Sequence, residues 1–180
     1  MSHLSNTKPL LCRELVGREH ELQALHEALQ HAATGKPQFV LLAGEAGLGK
    51  TKLCHAFMQA SQTEQAVVLF GQAIPQDASL PFGPLLDAFR RYFTITSKVP
   101  SSSDESLRTA LAFLFRLLPE LAVLFPEVTP ALETKGAVVQ SQQAVFHGLL
   151  SILQVLARSS PGPLLLILED LHWADETSLE

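Results

Sequence analysis

A three-layer α/β fold, helices packed on a parallel sheet, is predicted by three stretches of the 180-residue chain. The first is Phe39-Val40-Leu41-Leu42-Ala43, an apolar run that leads directly into Gly44-Glu45-Ala46-Gly47-Leu48-Gly49-Lys50-Thr51 and then into a helical pattern. The second is Ala66-Val67-Val68-Leu69-Phe70-Gly71, a short β-rich run. The third is Leu164-Leu165-Leu166-Ile167-Leu168, five apolar residues after a turn, ending in Glu169-Asp170. An uninterrupted apolar run of that length suits a strand buried on both faces, as in a parallel sheet.

The remaining elements follow in order. Residues 1–12 read as a polar tail, and 13–180 as the domain. Leu22, Leu25 and Leu29 recur at i, i+3 and i+7 and predict a first helix, with Gly35 as its stop. Beyond the glycine-rich loop, Leu53, Ala56, Phe57 and Ala60 continue one apolar helical face. Pro84 suits the first turn of a helix that carries Leu85, Leu86, Phe89 and Phe93. Thr94 to Glu105, with Pro100 and three serines, predicts a surface loop. Leu107, Leu111, Leu114 and Leu118 form another stripe closed by Pro119, and a short helical piece runs on to Phe125. The longest helix is predicted from Val138 to Arg158, with Val145, Leu149, Ile152, Leu153 and Leu156 inward, before Ser159-Ser160-Pro161-Gly162-Pro163 breaks the chain.

Composition narrows the classes. The chain is 47% hydrophobic and 17% charged, which suits one globular domain. A net charge of -5 argues against a nucleic-acid or membrane surface. No apolar run approaches the ~18 residues a membrane helix needs, and the N-terminus lacks the apolar core of a signal peptide. Cys12 and Cys54 make neither a disulfide framework nor a metal site, and Cys54 suits the core. A cytoplasmic location is expected. Arg90 and Arg91 read as a solvated helix face, and His172 and Trp173 as packing residues.

The chemistry lies at the loop and the acidic pair. A backbone that wraps a phosphate must present several N–H groups, and glycines at 44, 47 and 49 permit the dihedrals this needs. The helix that follows aims its N-terminus at the same anion. Lys50 is placed to reach the β- and γ-phosphates and the Thr51 hydroxyl to ligate Mg²⁺. Glu169 and Asp170 end a strand where ligands bind in open α/β sheets. One acid would hold Mg²⁺ and its neighbour orient the attacking water. Successive strand residues face opposite ways, so both acids serve one site only where the pleat ends. Glu169 at the metal and Asp170 at the water is the preferred assignment, with the reverse open. Asp175 suits a helix N-cap. The single asparagine, Asn6, leaves no Asn-Lys-x-Asp run to read guanine, which favours ATP.

Leu15-Val16-Gly17-Arg18-Glu19, Gly44 to Thr51, Leu80-Pro81-Phe82-Gly83-Pro84-Leu85 and Glu169-Asp170-Leu171-His172-Trp173-Ala174-Asp175 together resemble the STAND class of AAA-type P-loop NTPases. The likeness is nearest to the ATPase module of large LuxR-type bacterial transcriptional regulators, and of some multidomain kinases and adenylate cyclases. It implies a P-loop NTPase αβα sandwich and an ATP-driven switch with slow hydrolysis and nucleotide-dependent self-association. It places Val16 and Arg18 near the adenine or ribose, and residues 44–51 around the phosphates. Related ATPases often carry Asp first in the acidic pair, so Glu169 makes binding a firmer expectation than hydrolysis. In that class the strand after the acids lies between the acidic strand and the phosphate-loop strand. The resemblance thus implies a domain cut before its central strand, with sensor and output domains further along. The competing expectations are a non-hydrolysing nucleotide-binding interaction module and, more weakly, a small-molecule kinase.

Overall fold

The computed structural model describes residues 17–75, 81–96, 105–126 and 142–179. It divides into two units, one ending at Gln59 and one beginning at Ala60.

In the first unit, α1 (Glu19–Ala33) ends at Thr34, and Gly35 turns the chain with φ 82° as the predicted stop requires. Leu25 and Leu29 form its buried stripe. Residues 36–45 carry no regular structure, and α2 (Lys50–Thr63) begins directly on the last residues of the glycine-rich loop. Leu53, Cys54 and Phe57 are its buried residues in this unit, and the His26 ring meets Phe57 edge-on at 5.3 Å. Cys54 is a core residue, as expected.

Here the sequence expectation requires a correction. Phe39 to Ala43 is not a strand among the described residues. A strand is a pairing before it is a propensity, since its N–H and C=O groups need a ladder partner. No described segment supplies one, and Phe39, Val40 and Leu41 are 90%, 50% and 70% exposed.

The second unit is built on β1 (Val67–Gln72) and β2 (Leu164–Glu169), paired in parallel with Val67 opposite Leu164 and Gln72 opposite Glu169. The protein is therefore an α/β structure with a small parallel sheet. Between the strands run α3 (Gly83–Thr96), α4 (Glu105–Leu117), α5 (Pro119–Ala122) and α6 (Gln142–Ser159). α3 lies on β1, while α4 packs against α6. The predicted stripes explain this packing. Leu86, Phe89 and Phe93 of α3, Leu111 and Leu114 of α4, and Leu149, Ile152 and Leu156 of α6 share one core with Leu69 of β1. Phe125 closes it, stacked on Phe115 at 5.8 Å and edge-on to Phe93 at 6.0 Å. Each such ring contributes about 1.5–3 kcal/mol through burial alone. Leu107 and Val138 fall outside the residues whose side chains are described.

Gly71 matters at one contact. A Cβ there would lie 1.9 Å from the Pro84 carbonyl oxygen and 2.9 Å from the Ala88 Cβ, so glycine lets α3 sit directly on the strand. β2 departs from expectation in degree. Leu164 to Leu168 are half-buried rather than enclosed on both faces, and only Glu169 at its end is buried. The strand has one ladder neighbour among the described residues, β1.

Candidate functional site

The glycine-rich loop and its surroundings belong to the first unit. Gly47 and Gly49 have φ of 84° and 81°, while a Cβ on either would meet no atom within 4 Å. Backbone conformation, not space, selects glycine at both positions. The first hydrogen bond of α2 runs from Leu53 N to the Gly49 carbonyl at 3.0 Å. The amides of Lys50 and Thr51 therefore have no carbonyl one turn back to accept from them. Lys50 folds over the loop, and its Nζ donates to the carbonyls of Gly44 at 2.8 Å and Glu45 at 2.9 Å. Thr51 is exposed in the first turn of α2. These are the features of an anion cradle: left-handed glycines, a helix N-terminus and an ammonium held at the same loop.

Arg18 reaches this loop from just before α1. Its Nη2 donates to the Leu48 carbonyl at 3.0 Å, and its Nη1 pairs with Glu21 Oε1 at 2.5 Å. The guanidinium bond holds the Glu21 carboxyl below its usual range. Arg18, Glu21, Leu42, Leu48, Lys50 and Leu53 are among the residues lining a cavity of about 200 Å³. Val16, predicted beside Arg18 at the base, lies outside the described residues.

The acidic pair belongs to the second unit. Glu169 is the last residue of β2 and is 9% exposed. Asp170 is exposed and leaves the strand in a left-handed conformation, φ 56° and ψ 35°. The pleat therefore ends between them, which lifts the alternation that would otherwise set the two carboxylates on opposite faces. A 3₁₀ turn, Leu171–Trp173, follows, and the Trp173 amide donates to the Asp170 carbonyl at 2.9 Å. Asp175 caps α7 (Glu176–Leu179), its Oδ2 accepting the Ser178 amide at 3.1 Å. His172 and Trp173 stand against each other at 5.0 Å but are exposed, so they do not fill the packing role expected of them.

Two residues at this edge escaped the sequence reading. Gln72, opposite Glu169 at the end of β1, donates from Nε2 to Asp170 Oδ2 at 2.8 Å. Its own amide donates to Asp87 Oδ2 at 3.0 Å, and that carboxylate also accepts Arg91 Nε at 2.7 Å. Arg91 lies over the Phe70 ring at 5.4 Å, and Arg90 Nε donates to Glu120 Oε1 at 2.8 Å. The two arginines are thus tethered rather than simply solvated. The available signal was Asp87 with Arg90 and Arg91 at i+3 and i+4 on one helix face.

Taken separately, the Thr51 hydroxyl of the first unit and the Glu169 and Asp170 carboxylates of the second are each of the oxygen type that a hard divalent cation takes. A threonine hydroxyl and carboxylate oxygens are the few protein ligands Mg²⁺ takes beside phosphate and water. Among the described residues no three His, Cys, Asp or Glu side chains gather as a metal cluster. Nor does any described helix have the length and apolarity to cross a membrane.

Two relatives place these motifs in a wider setting. An uncharacterized protein of Rhizobium meliloti (strain 1021) is 26% identical over 175 residues, 91% of this chain and 16% of its own length. The Hybrid signal transduction histidine kinase G of Dictyostelium discoideum is 24% identical over 179 residues, 95% of this chain and 5% of its own length. The chain thus spans a small part of either relative. No solved structure matches it. The profile described as AAA ATPase domain matches residues 14–180, taking in the glycine-rich loop, both strands and the acidic pair, and the chain belongs to that family.

Proposed function

We propose that the chain is the ATP-binding portion of a signal-transduction ATPase, a nucleotide-dependent switch whose output is transcriptional control. The observation that carries this reading is the loop itself. Two left-handed glycines, the N-terminus of α2 and the Lys50 ammonium meet in one short segment. Lys50 would exchange its carbonyl partners for the β- and γ-phosphates, which offer anionic acceptors in place of neutral ones. Thr51 and Glu169 would supply the oxygen ligands for Mg²⁺, whose contribution is to neutralise phosphate charge. Asp170, with Gln72 beside it, would orient the attacking water. The histidine kinase name carried by one relative supports a signalling setting, with a multidomain kinase or adenylate cyclase as the alternative host.

The test is MgATP affinity of the full chain before and after Lys50→Ala. Loss of about 10–100-fold is expected from removing charge-assisted bonds. An unchanged affinity would sink the reading.

A second reading, a nucleotide-holding interaction module without turnover, is favoured by the glutamate that stands first in the acidic pair. Single-turnover phosphate release from bound MgATP separates the two. Release supports the switch, and intact ATP after prolonged incubation supports the module.

A further inference from the structure

We infer that Arg18 is a positioning residue for the phosphate loop, setting the orientation of the peptide between Leu48 and Gly49, rather than a contact to the nucleobase. This rests on the nucleotide-site reading above. Leu48 sits between Gly47 and Gly49, both left-handed and both free of steric neighbours at the Cβ position. That peptide turns on the ψ of Leu48 and the φ of Gly49, and glycine at the second of these removes the restraint a Cβ would impose there. Leu48 adds only partial packing of its own, since the residue is 51% exposed. What holds the peptide is the bond from Arg18 Nη2 to the Leu48 carbonyl, at 3.0 Å across 30 residues of chain. Arg18 is itself aligned by Glu21, one turn along α1.

The consequence follows from peptide geometry. In a planar trans peptide the C=O of one residue and the N–H of the next point in opposite directions. Fixing the Leu48 oxygen on Arg18 therefore fixes the Gly49 N–H toward the other side of the loop. With that carbonyl released, the peptide is free to rotate and to present an oxygen where an anion needs a donor. Both terminal nitrogens of the guanidinium are used, Nη2 on the carbonyl and Nη1 on the carboxylate. A lysine has a single ammonium in place of that fork.

The experiment compares MgATP with Mg-tripolyphosphate, which has the phosphates and no base or ribose, on the full 180-residue chain. Arg18→Ala is expected to weaken both ligands by the same factor, about tenfold. Arg18→Lys should recover part of that loss, and Glu21→Gln should show a smaller loss of the same kind. Loss for MgATP with tripolyphosphate spared would overturn the inference in favour of a base or ribose contact, as would no loss for either. The ¹⁵N resonance of the Gly49 amide in the ligand-free chain gives a readout independent of nucleotide. It should move in Arg18→Ala, and an unmoved resonance overturns the inference. Should Lys50→Ala leave both affinities intact, the nucleotide reading fails while the Gly49 resonance still decides the role of Arg18. Arg18→Lys serves for the same measurements if Arg18→Ala does not fold.

Discussion

Asp170 shows how one residue carries both a charge and a shape. Its left-handed conformation ends the strand and turns the chain into the 3₁₀ segment. Asparagine tolerates that conformation about as well as aspartate, whereas a β-branched residue does not. Asp170→Asn is therefore expected to leave thermal unfolding nearly unchanged while removing the carboxylate. Asp170→Val should cost about 1–2 kcal/mol, read as a lower melting temperature. Equal stability of the two variants would show that the turn is indifferent to its residue. The same logic applies at Gly49, where φ is 81° and space is ample. Gly49→Ala is expected to cost about 1–2 kcal/mol by strain alone. Its MgATP affinity should fall as well, checked by titration beside the wild-type chain.

Among the elements, α3 is the one whose seat on the sheet decides the geometry of the acidic edge. It bears Asp87, which holds the Gln72 amide, and it meets β1 at Gly71. Gly71→Ala would push Pro84 and Ala88 away, and overpacking of this kind costs about 1–3 kcal/mol, measurable as a shift in the urea midpoint. A weaker tie joins α3 to α5. The hydrogen bond from the Arg90 guanidinium holds the Glu120 carboxyl below the usual carboxylate range. A depressed carboxyl contributes stability above its unfolded pKa and loses it as pH falls through the folded value. Glu120 is half exposed, so the contribution is a few tenths of a kcal/mol at most. Glu120→Gln should thus be slightly less stable than wild type at neutral pH, with the gap closing in urea melts as the pH falls through the folded-state carboxyl titration. The α3, α4 and α6 stripes were legible in the sequence because a helix writes its buried face at a fixed spacing. The first predicted strand was not, because Phe39 to Ala43 states an apolar preference and says nothing about a partner. Gly71 and Gln72 were missed for a related reason. Their roles depend on Pro84 and Asp170, which no local pattern connects to them.

At the scale of the whole molecule, the second unit is held by one continuous aromatic and leucine core, and the first by a few residues of α1 and α2. The loop and the acidic pair were legible as chemistry because each is a short run whose order of residue types has a physical meaning. The brace of Arg18 on the loop was not, since 30 residues separate donor from acceptor. The bare run at Phe39, Val40 and Leu41 has a practical consequence for anyone handling the protein. Three exposed apolar side chains in a segment with no regular structure invite one molecule to adhere to the next. The net charge of -5 opposes such clumping at neutral pH, and this protection vanishes near the isoelectric point of about 5.8. Light scattering should therefore report large particles as concentrated samples approach pH 6, and Val40→Lys should raise the concentration at which they form.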